Sequence, residues 1–255
     1  MDYICFASGS SGNCALLRGG GVNLLIDAGI SMKRIRMNLR SLGLDLGDLR
    51  GVLVTHEHSD HVSALGMLSK YTDLPVYLSP GTGEALLRDG KCARKNLRPL
   101  GEDLSLSLGE LRILGVPLMH DAAQPIGWRI EGEKSAVAVL TDLGKLTEEV
   151  RAAARGCRFA VVECNHDVEM LRRGPYPPAL QRRILGNRGH LSNEAGAELA
   201  SVLAEAGAEE VLLGHLSREN NRPELALAAV RNRVGSDLRV STALRDACSP
   251  RIRVE

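Results

Sequence analysis

The sequence predicts a layered α/β domain, on three observations. Short apolar runs of strand length recur from Tyr3 to Leu213 and alternate with stretches of helical period. With 255 residues the chain is long enough to bury a core of full size. Polar residues stand immediately after several apolar runs, at the rim where open α/β architectures assemble sites from several loops.

The elements follow in order. Strands are expected at Tyr3 to Ala7, Ala15 to Leu17, Asn23 to Ile26, Gly51 to Val54, Val76 to Leu78, Arg112 to Val116, Gly127 to Glu131, Ala136 to Leu140, Phe159 to Glu163 and Val211 to Leu213, each a short run rich in Val, Ile, Leu or aromatic residues. Helices are expected at Met32 to Ser41, Val62 to Ser69, Gly83 to Arg88, Glu148 to Arg155, Ala179 to Leu185, Asn193 to Ala206 and Pro223 to Val234. The first two thirds are strand-rich and the last third helix-rich, with no low-complexity linker between them. Gly-His-Leu-Ser occurs twice, at Gly189 to Ser192 and Gly214 to Ser217, but the flanking residues do not match as a repeat. A single domain over residues 1–255 is expected.

Composition excludes several classes. Thirty-two basic residues against 31 acidic give a formal charge of +1, so no global field attracts a polyanion and a nucleic-acid partner must be held by local patches. Cys5, Cys14, Cys92, Cys157, Cys164 and Cys248 are scattered without CxxC pairing and read as reduced thiols of a cytoplasmic protein. The N-terminus lacks a basic region followed by an apolar one, and no run of 18 apolar residues occurs. Neither a signal peptide nor a membrane partner is expected.

Chemistry concentrates in Thr55-His56-Glu57-His58-Ser59-Asp60-His61, directly after the apolar Gly51-Val52-Leu53-Val54. Imidazole nitrogens and a carboxylate are the ligands of borderline divalent metals, and three of the chain's seven histidines fall in this one turn. A solvated polar turn is the bland alternative. Asp27, His120, Asp142 and His215 each close another apolar run; taken singly each reads as a turn or capping residue, whereas together with His56 to His61 they supply donors for two metals.

Asp27, then His56-x-His58-x-Asp60-His61, then His120, Asp142 and His215, resembles the five ordered motifs of the metallo-β-lactamase fold. The resemblance implies an αββα sandwich with metals at one edge. It implies that His56, His58 and His120 bind a first ion, that Asp60, His61 and His215 bind a second, that Asp142 bridges them, and that Asp27 orients a ligand imidazole. Flavo-di-iron relatives carry a glutamate where this chain has His58, class B β-lactamases use a cysteine at the second site, and β-CASP nucleases need a large inserted domain; the chain departs from all three. Phe6 to Cys14, Glu163 to Leu171, Gly174 to Pro177, Arg183 to Gly186, Gly189 to Asn193 and Gly214 to Asn221 are similar to the YycJ/WalJ group of that superfamily.

That group implies a dinuclear phosphodiesterase acting as a 5′-to-3′ exonuclease on DNA ends, with Zn²⁺, Mn²⁺ or Fe²⁺ as cofactor. Two such cations lower the pKa of a shared water and neutralise charge developing on the phosphate. Asp60 is placed to ligate and to orient the attacking oxygen; His190 is expected to contact the scissile phosphate or protonate the leaving oxygen, or else to sit merely beside the turn that Ser192 caps. Hydrolysis of a small ester or cyclic phosphodiester, and a non-catalytic metal-binding regulator, are the alternatives.

Substrate contacts are expected from Ser10, Ser11 and Asn13 in a turn able to present backbone N–H groups, from His166, from Tyr176 between two prolines, and from Arg218. The first turn also reads as a plain hairpin, and His166 as a structural histidine. Local basic groups comprise Lys33, Arg34, Arg36 and Arg40 on one helix, Arg172, Arg173, Arg182, Arg183 and Arg188 around Pro175 to Pro178, and Arg218 with Arg222. The first group also reads as a solvated helix face.

Overall fold

The apolar runs find partners on both faces. The structure, a computed structural model, describes residues 1–255. Strands in chain order are β1 (Asp2–Ala7), β2 (Cys14–Gly19), β3 (Val22–Ile26), β4 (Gly51–Leu53), β5 (Val76–Leu78), β6 (Leu97–Pro99), β7 (Ser105–Leu108) and β8 (Leu111–Pro117). They continue with β9 (Ile126–Glu131), β10 (Ala136–Leu140), β11 (Cys157–Glu163), β12 (Glu210–Gly214), β13 (Arg239–Thr242) and β14 (Ile252–Arg253). Helices are α1 (Met32–Ser41), α2 (Ser59–Val62), α3 (Leu65–Tyr71), α4 (Pro80–Arg88), α5 (Glu148–Ala154), α6 (Val168–Arg173), α7 (Pro178–Leu185), α8 (Asn193–Glu205) and α9 (Pro223–Val234).

Two seven-stranded mixed sheets form, ordered β14-β1-β2-β3-β4-β5-β6 and β13-β12-β11-β10-β9-β8-β7. Each half of the chain repeats one plan. Antiparallel pairing runs through β1-β2-β3 and β7-β8-β9-β10, where short turns suffice. Parallel pairing follows through β3-β4-β5-β6 and β10-β11-β12-β13, where crossovers carry helices.

Between the sheets lies a shared core of Tyr3, Leu24, Ile26 and Leu53 from one side and Trp128, Ile130, Val139, Phe159 and Val161 from the other. The outer face of the first sheet is covered by Ile35 and Leu39 of α1, Leu65 and Leu68 of α3 and Leu86 of α4. The outer face of the second is covered by Val150 of α5, Ala200 and Leu203 of α8, and Ala226 and Val230 of α9. This is the four-layer αββα sandwich. No helix is long and apolar enough to cross a membrane.

The expected elements recur with local differences. The helix expected at Val62 to Ser69 is divided into α2 and α3, because the chain bends where the Ala64 amide donates to the carbonyl of Ala28, 2.9 Å away, on a different segment. The helix expected from Gly83 starts at Pro80: the Ser79 hydroxyl accepts from the Thr82 amide at 3.3 Å and proline pre-sets the first helical φ. Helix α6, capped by Asp167, and strands β6, β7, β13 and β14 have no counterpart among the expected elements. Those four strands are the four outer edges of the sheets, where short polar sequences are favoured because they resist further pairing.

One close approach fixes the site to the first sheet. The Asn13 amide donates to the Asp60 carbonyl at 2.7 Å and the Gly29 amide to the Asn13 carbonyl at 2.8 Å, so three segments meet at Gly29. A Cβ there would lie 1.6 Å from the Asp60 carbonyl oxygen, which is backbone and cannot move aside. Gly29→Ala is expected to destabilise the fold by at least about 3 kcal/mol and to lower the melting temperature by about 10 °C. Thermal unfolding by circular dichroism checks this against Gly47→Ala, whose Cβ meets nothing within 4 Å.

Candidate metal centre

The centre is built where parallel strands end. Asp27 follows β3, His56 to His61 follow β4, Asp142 follows β10, Glu163 terminates β11 and His215 follows β12. Carboxyl ends of parallel strands carry the sites of open α/β sheets because loops diverge there. Three of the four non-glycine residues with left-handed backbone are in this set: Asp27 (φ 57°), Asp142 (φ 62°) and His215 (φ 55°). Such conformations cost energy and persist only where the surroundings over-determine them.

Hydrogen bonds fix the imidazole tautomers. Asp27 accepts from the Thr55 amide at 2.8 Å, holding the start of the histidine turn, and from His61 Nδ1 at 2.8 Å. His120 Nδ1 donates to the Gly189 carbonyl at 3.0 Å, and His215 Nδ1 to Glu163 Oε1 at 3.1 Å. Carboxylates and carbonyls only accept, so each Nδ1 carries the hydrogen and each Nε2 is left as a lone-pair donor towards the centre.

Those lone pairs face other acceptors. His61 Nε2 lies 3.3 Å from Asp142 Oδ2 and 3.5 Å from Asp60 Oδ2. His215 Nε2 lies 3.4 Å from Asp142 Oδ1 and 3.6 Å from Asp60 Oδ2. The fully buried atoms His56 Nε2, His215 Nε2 and Asp142 Oδ2 make no hydrogen bond. Where those nitrogens carry no proton, acceptor against acceptor is repulsive until a metal ion lies among them, and this donor set suits divalent metal ions. Donor atoms within 4.8 Å of one another fall into overlapping groups: His56, His58 and His120; His56, His61 and Asp142; Asp60, His61 and His215; Asp142, Glu163, His190 and His215.

Electrostatics agree. Burial, and then the neighbouring imidazoles of His61, His120 and His58, hold His56 well below the usual histidine range; burial also lowers His120. Both are therefore neutral and able to ligate. His215 behaves oppositely: against the burial that would lower it, Asp142, Asp60 and Glu163 push it up to about 10. The carboxylates demand positive charge, which protons supply when metal does not.

Each sequence-derived residue can now be placed. His56, His58, Asp60, His61, His120, Asp142 and His215 converge, and Asp27 lies behind His61. His190 stacks on His215 with ring centroids 5.1 Å apart, and its Nδ1 donates to Glu163 Oε1 at 2.8 Å. Asn13 turns inward: its amide donates to Asp60 Oδ2 at 3.3 Å and lies 3.0 Å from His61 Nε2, so it braces the centre. Ser10 and Ser11 lie exposed at the tip of the β1-β2 hairpin. His166 is buried with neither ring nitrogen hydrogen-bonded. Arg218 pairs with Asp246 at 3.3 Å. On α1, Arg36 and Arg40 pair with Asp45 and Arg34 with Asp246, the pattern of a solvated helix face.

Glu163 was not foreseen in any role. It is fully buried, and each carboxylate oxygen is used twice: Oε1 accepts from His190 and His215, Oε2 from the amides of Leu143 and Leu191, both at 3.1 Å. Its sequence signal was the one carried by Asp27 and Asp142, a carboxylate closing an apolar run.

This fold and rim of ligands define a class. The chain belongs to the beta-lactamase superfamily: residues 22–216 match the family described as "Beta-lactamase superfamily domain". It is 36% identical to the exodeoxyribonuclease YycJ of Bacillus anthracis, covering 90% of this chain and 88% of that one. It is 34% identical to the exodeoxyribonuclease WalJ of Streptococcus pneumoniae, covering 98% and 97%. The metallo-beta-lactamase fold protein YhfI of Bacillus subtilis superposes with a TM-score of 0.74 at 17% identity, covering 97% of this chain and 98% of that one, a likeness of fold.

Proposed function

We propose that this chain is a dinuclear metal-dependent phosphodiesterase that removes nucleotides from DNA ends in the 5′-to-3′ direction. The observation that carries the reading is the ring of buried, mutually facing acceptors, joined to near full-length similarity to relatives named exodeoxyribonucleases. His56, His58 and His120 would hold one ion, Asp60, His61 and His215 the other, with Asp142 between them; Zn²⁺, Mn²⁺ and Fe²⁺ all suit the donors. When bound, the ions supply Lewis acidity towards the phosphate and a water acidic enough to attack at neutral pH.

The chain's own residues do the rest. Asp27, Glu163 and the Gly189 carbonyl fix the ligand imidazoles through their second nitrogens. Glu163 likewise accepts from His190 Nδ1, which turns Nε2 away from the carboxylate; when the ring carries a proton on both nitrogens, that Nε2–H is the group able to donate to the departing 3′ oxygen. Asp60, with 22% of its side chain exposed, is the ligand carboxylate with access to the incoming water. The six cysteines are free thiols, which suits a reducing compartment such as the cytoplasm.

Degradation of an end-labelled, 5′-phosphorylated duplex by Mn²⁺-loaded protein tests this, with Asp60→Ala alongside. Stepwise release of nucleotides from the 5′ end is expected, slowed about 10³-fold in the variant. Protein shown to hold two metals per chain that cleaves neither duplex, single strand nor RNA would move the reading to a small ester or phosphodiester.

A further inference from the structure

Beside the metal centre, on the side of His190, lies a cavity of about 250 Å³. Ser10, Ser217 and His190 line it from the side of the metal centre; Tyr176, Leu180 and Arg183 line it from one other segment. That segment, α6 and α7 with Pro175-Tyr176-Pro177 between them, forms an arm along the cavity. We infer that this cavity seats the terminal nucleotide that departs on cleavage, and that the arm closing it restricts attack to chain ends. The inference rests on the phosphodiesterase reading above and adds to it the subsite and the element that set specificity.

Four observations carry it. His190 lies on the boundary, stacked on His215 on one side and lining the cavity on the other. A proton given to the departing 3′ oxygen therefore goes to a group that occupies this space. Second, the volume lies just below the range of about 300–1,000 Å³ typical of small-molecule sites, of the order of one nucleotide and short of the space that two would need.

Third, the arm is pinned. A Cβ on Gly174 would lie 2.5 Å from Asn220 Oδ1, and the Asp167 amide at the start of α6 donates to the Asn220 carbonyl at 2.9 Å, so the first half of the arm is held against the segment that follows β12. Arg183 Nε donates to Asp121 Oδ2 at 2.5 Å across the cavity mouth, and Gln181 Nε2 donates to the Tyr176 carbonyl at 2.9 Å. Prolines on both sides of Tyr176 restrict the backbone further. A strand threading the centre thus meets a fixed wall one nucleotide beyond the scissile bond.

Fourth, the lining matches a nucleoside. Tyr176 and Leu180 present an aromatic ring and an apolar side chain to a base or sugar. Ser217 Oγ already accepts from the Asn220 amide at 3.2 Å, which leaves its O–H to donate into the cavity.

The test compares wild type with Tyr176→Ala, which opens the cavity, and Leu180→Trp, which fills it. For each, two ratios are measured on metal-loaded protein of verified melting temperature: affinity for thymidine 3′-monophosphate over inorganic phosphate by calorimetry, and kcat/KM on linear duplex over bis(p-nitrophenyl) phosphate. Phosphate and the small diester report the metal centre alone. Both ratios are expected to fall about tenfold or more in both variants, and wild type is expected to leave covalently closed circular DNA intact. Ratios equal to wild type in both variants, or circular DNA cut as fast as linear, overturn the inference. Wild type that hydrolyses neither DNA nor the diester overturns the phosphodiesterase reading instead, and the calorimetric ratio then decides the pocket by itself.

Discussion

Asp142→Asn should abolish turnover and break the metal stoichiometry in one step. The Asp142 side chain is 3% exposed, with Oδ1 directed at His215 and Oδ2 at His61. Asparagine preserves volume and tolerates the left-handed backbone at this position (φ 62°), so the fold should survive the change. What disappears is the charge that makes the facing lone pairs a cation site. Metal content by mass spectrometry should drop from two ions per chain to one or fewer, and phosphodiester hydrolysis should fall by at least about 10³-fold, on the order of 4 kcal/mol of transition-state stabilisation. The rise in melting temperature on adding metal should shrink with it, since a ligand stabilises only in proportion to its binding. Full occupancy with undiminished turnover would remove Asp142 from the centre.

Glu163→Gln is the second large effect, and it acts through other residues. Four donors converge on a carboxylate that is wholly buried: two imidazole N–H groups and two backbone amides. Glutamine offers one oxygen in place of two, and its NH₂ then confronts one pair of donors. Orphaned buried donors of this kind cost on the order of 2–4 kcal/mol, a fall in melting temperature of roughly 5–15 °C. Because His190 and His215 both lose their acceptor, turnover and second-site metal affinity should each fall about 10- to 100-fold. His190→Ala is the contrast: it should lose turnover while retaining two ions. Metal titration of the two variants side by side separates the positioning role of Glu163 from the role of His190, and equal metal affinity in both would contradict it.

The ligand rim was legible because each member sits where a buried run of apolar residues stops. That mark is local and appears in a single sequence at Asp27, His56, Asp142 and His215. The orienting partners other than Asp27 were not legible, for the opposite reason. The Gly189 carbonyl meets His120 across 69 residues, Glu163 meets His190 and His215 across 27 and 52, and Asn13 meets Asp60 across 47. Such pairings exist only after the two sheets close on each other, and no periodicity encodes them. Among the strands, the ones that escaped notice were the four edges, whose polar, short sequences lack a hydrophobic signature. Helix α6 escaped because six residues are too few to show a period.

Asp27, Asp142 and His215 have a consequence for how such a protein ages in evolution. Each holds a left-handed backbone that glycine or asparagine would adopt with less strain, at a cost to the present chain of roughly 1–3 kcal/mol apiece. At Asp27 and His215 that relief is offset by buried hydrogen-bond partners left unpaired, but Asp142 Oδ2 has no such partner to lose. At Asp142 the substitution easiest on folding is therefore the one that deletes a charge from the rim, and a descendant released from its task would lose activity there without losing its fold.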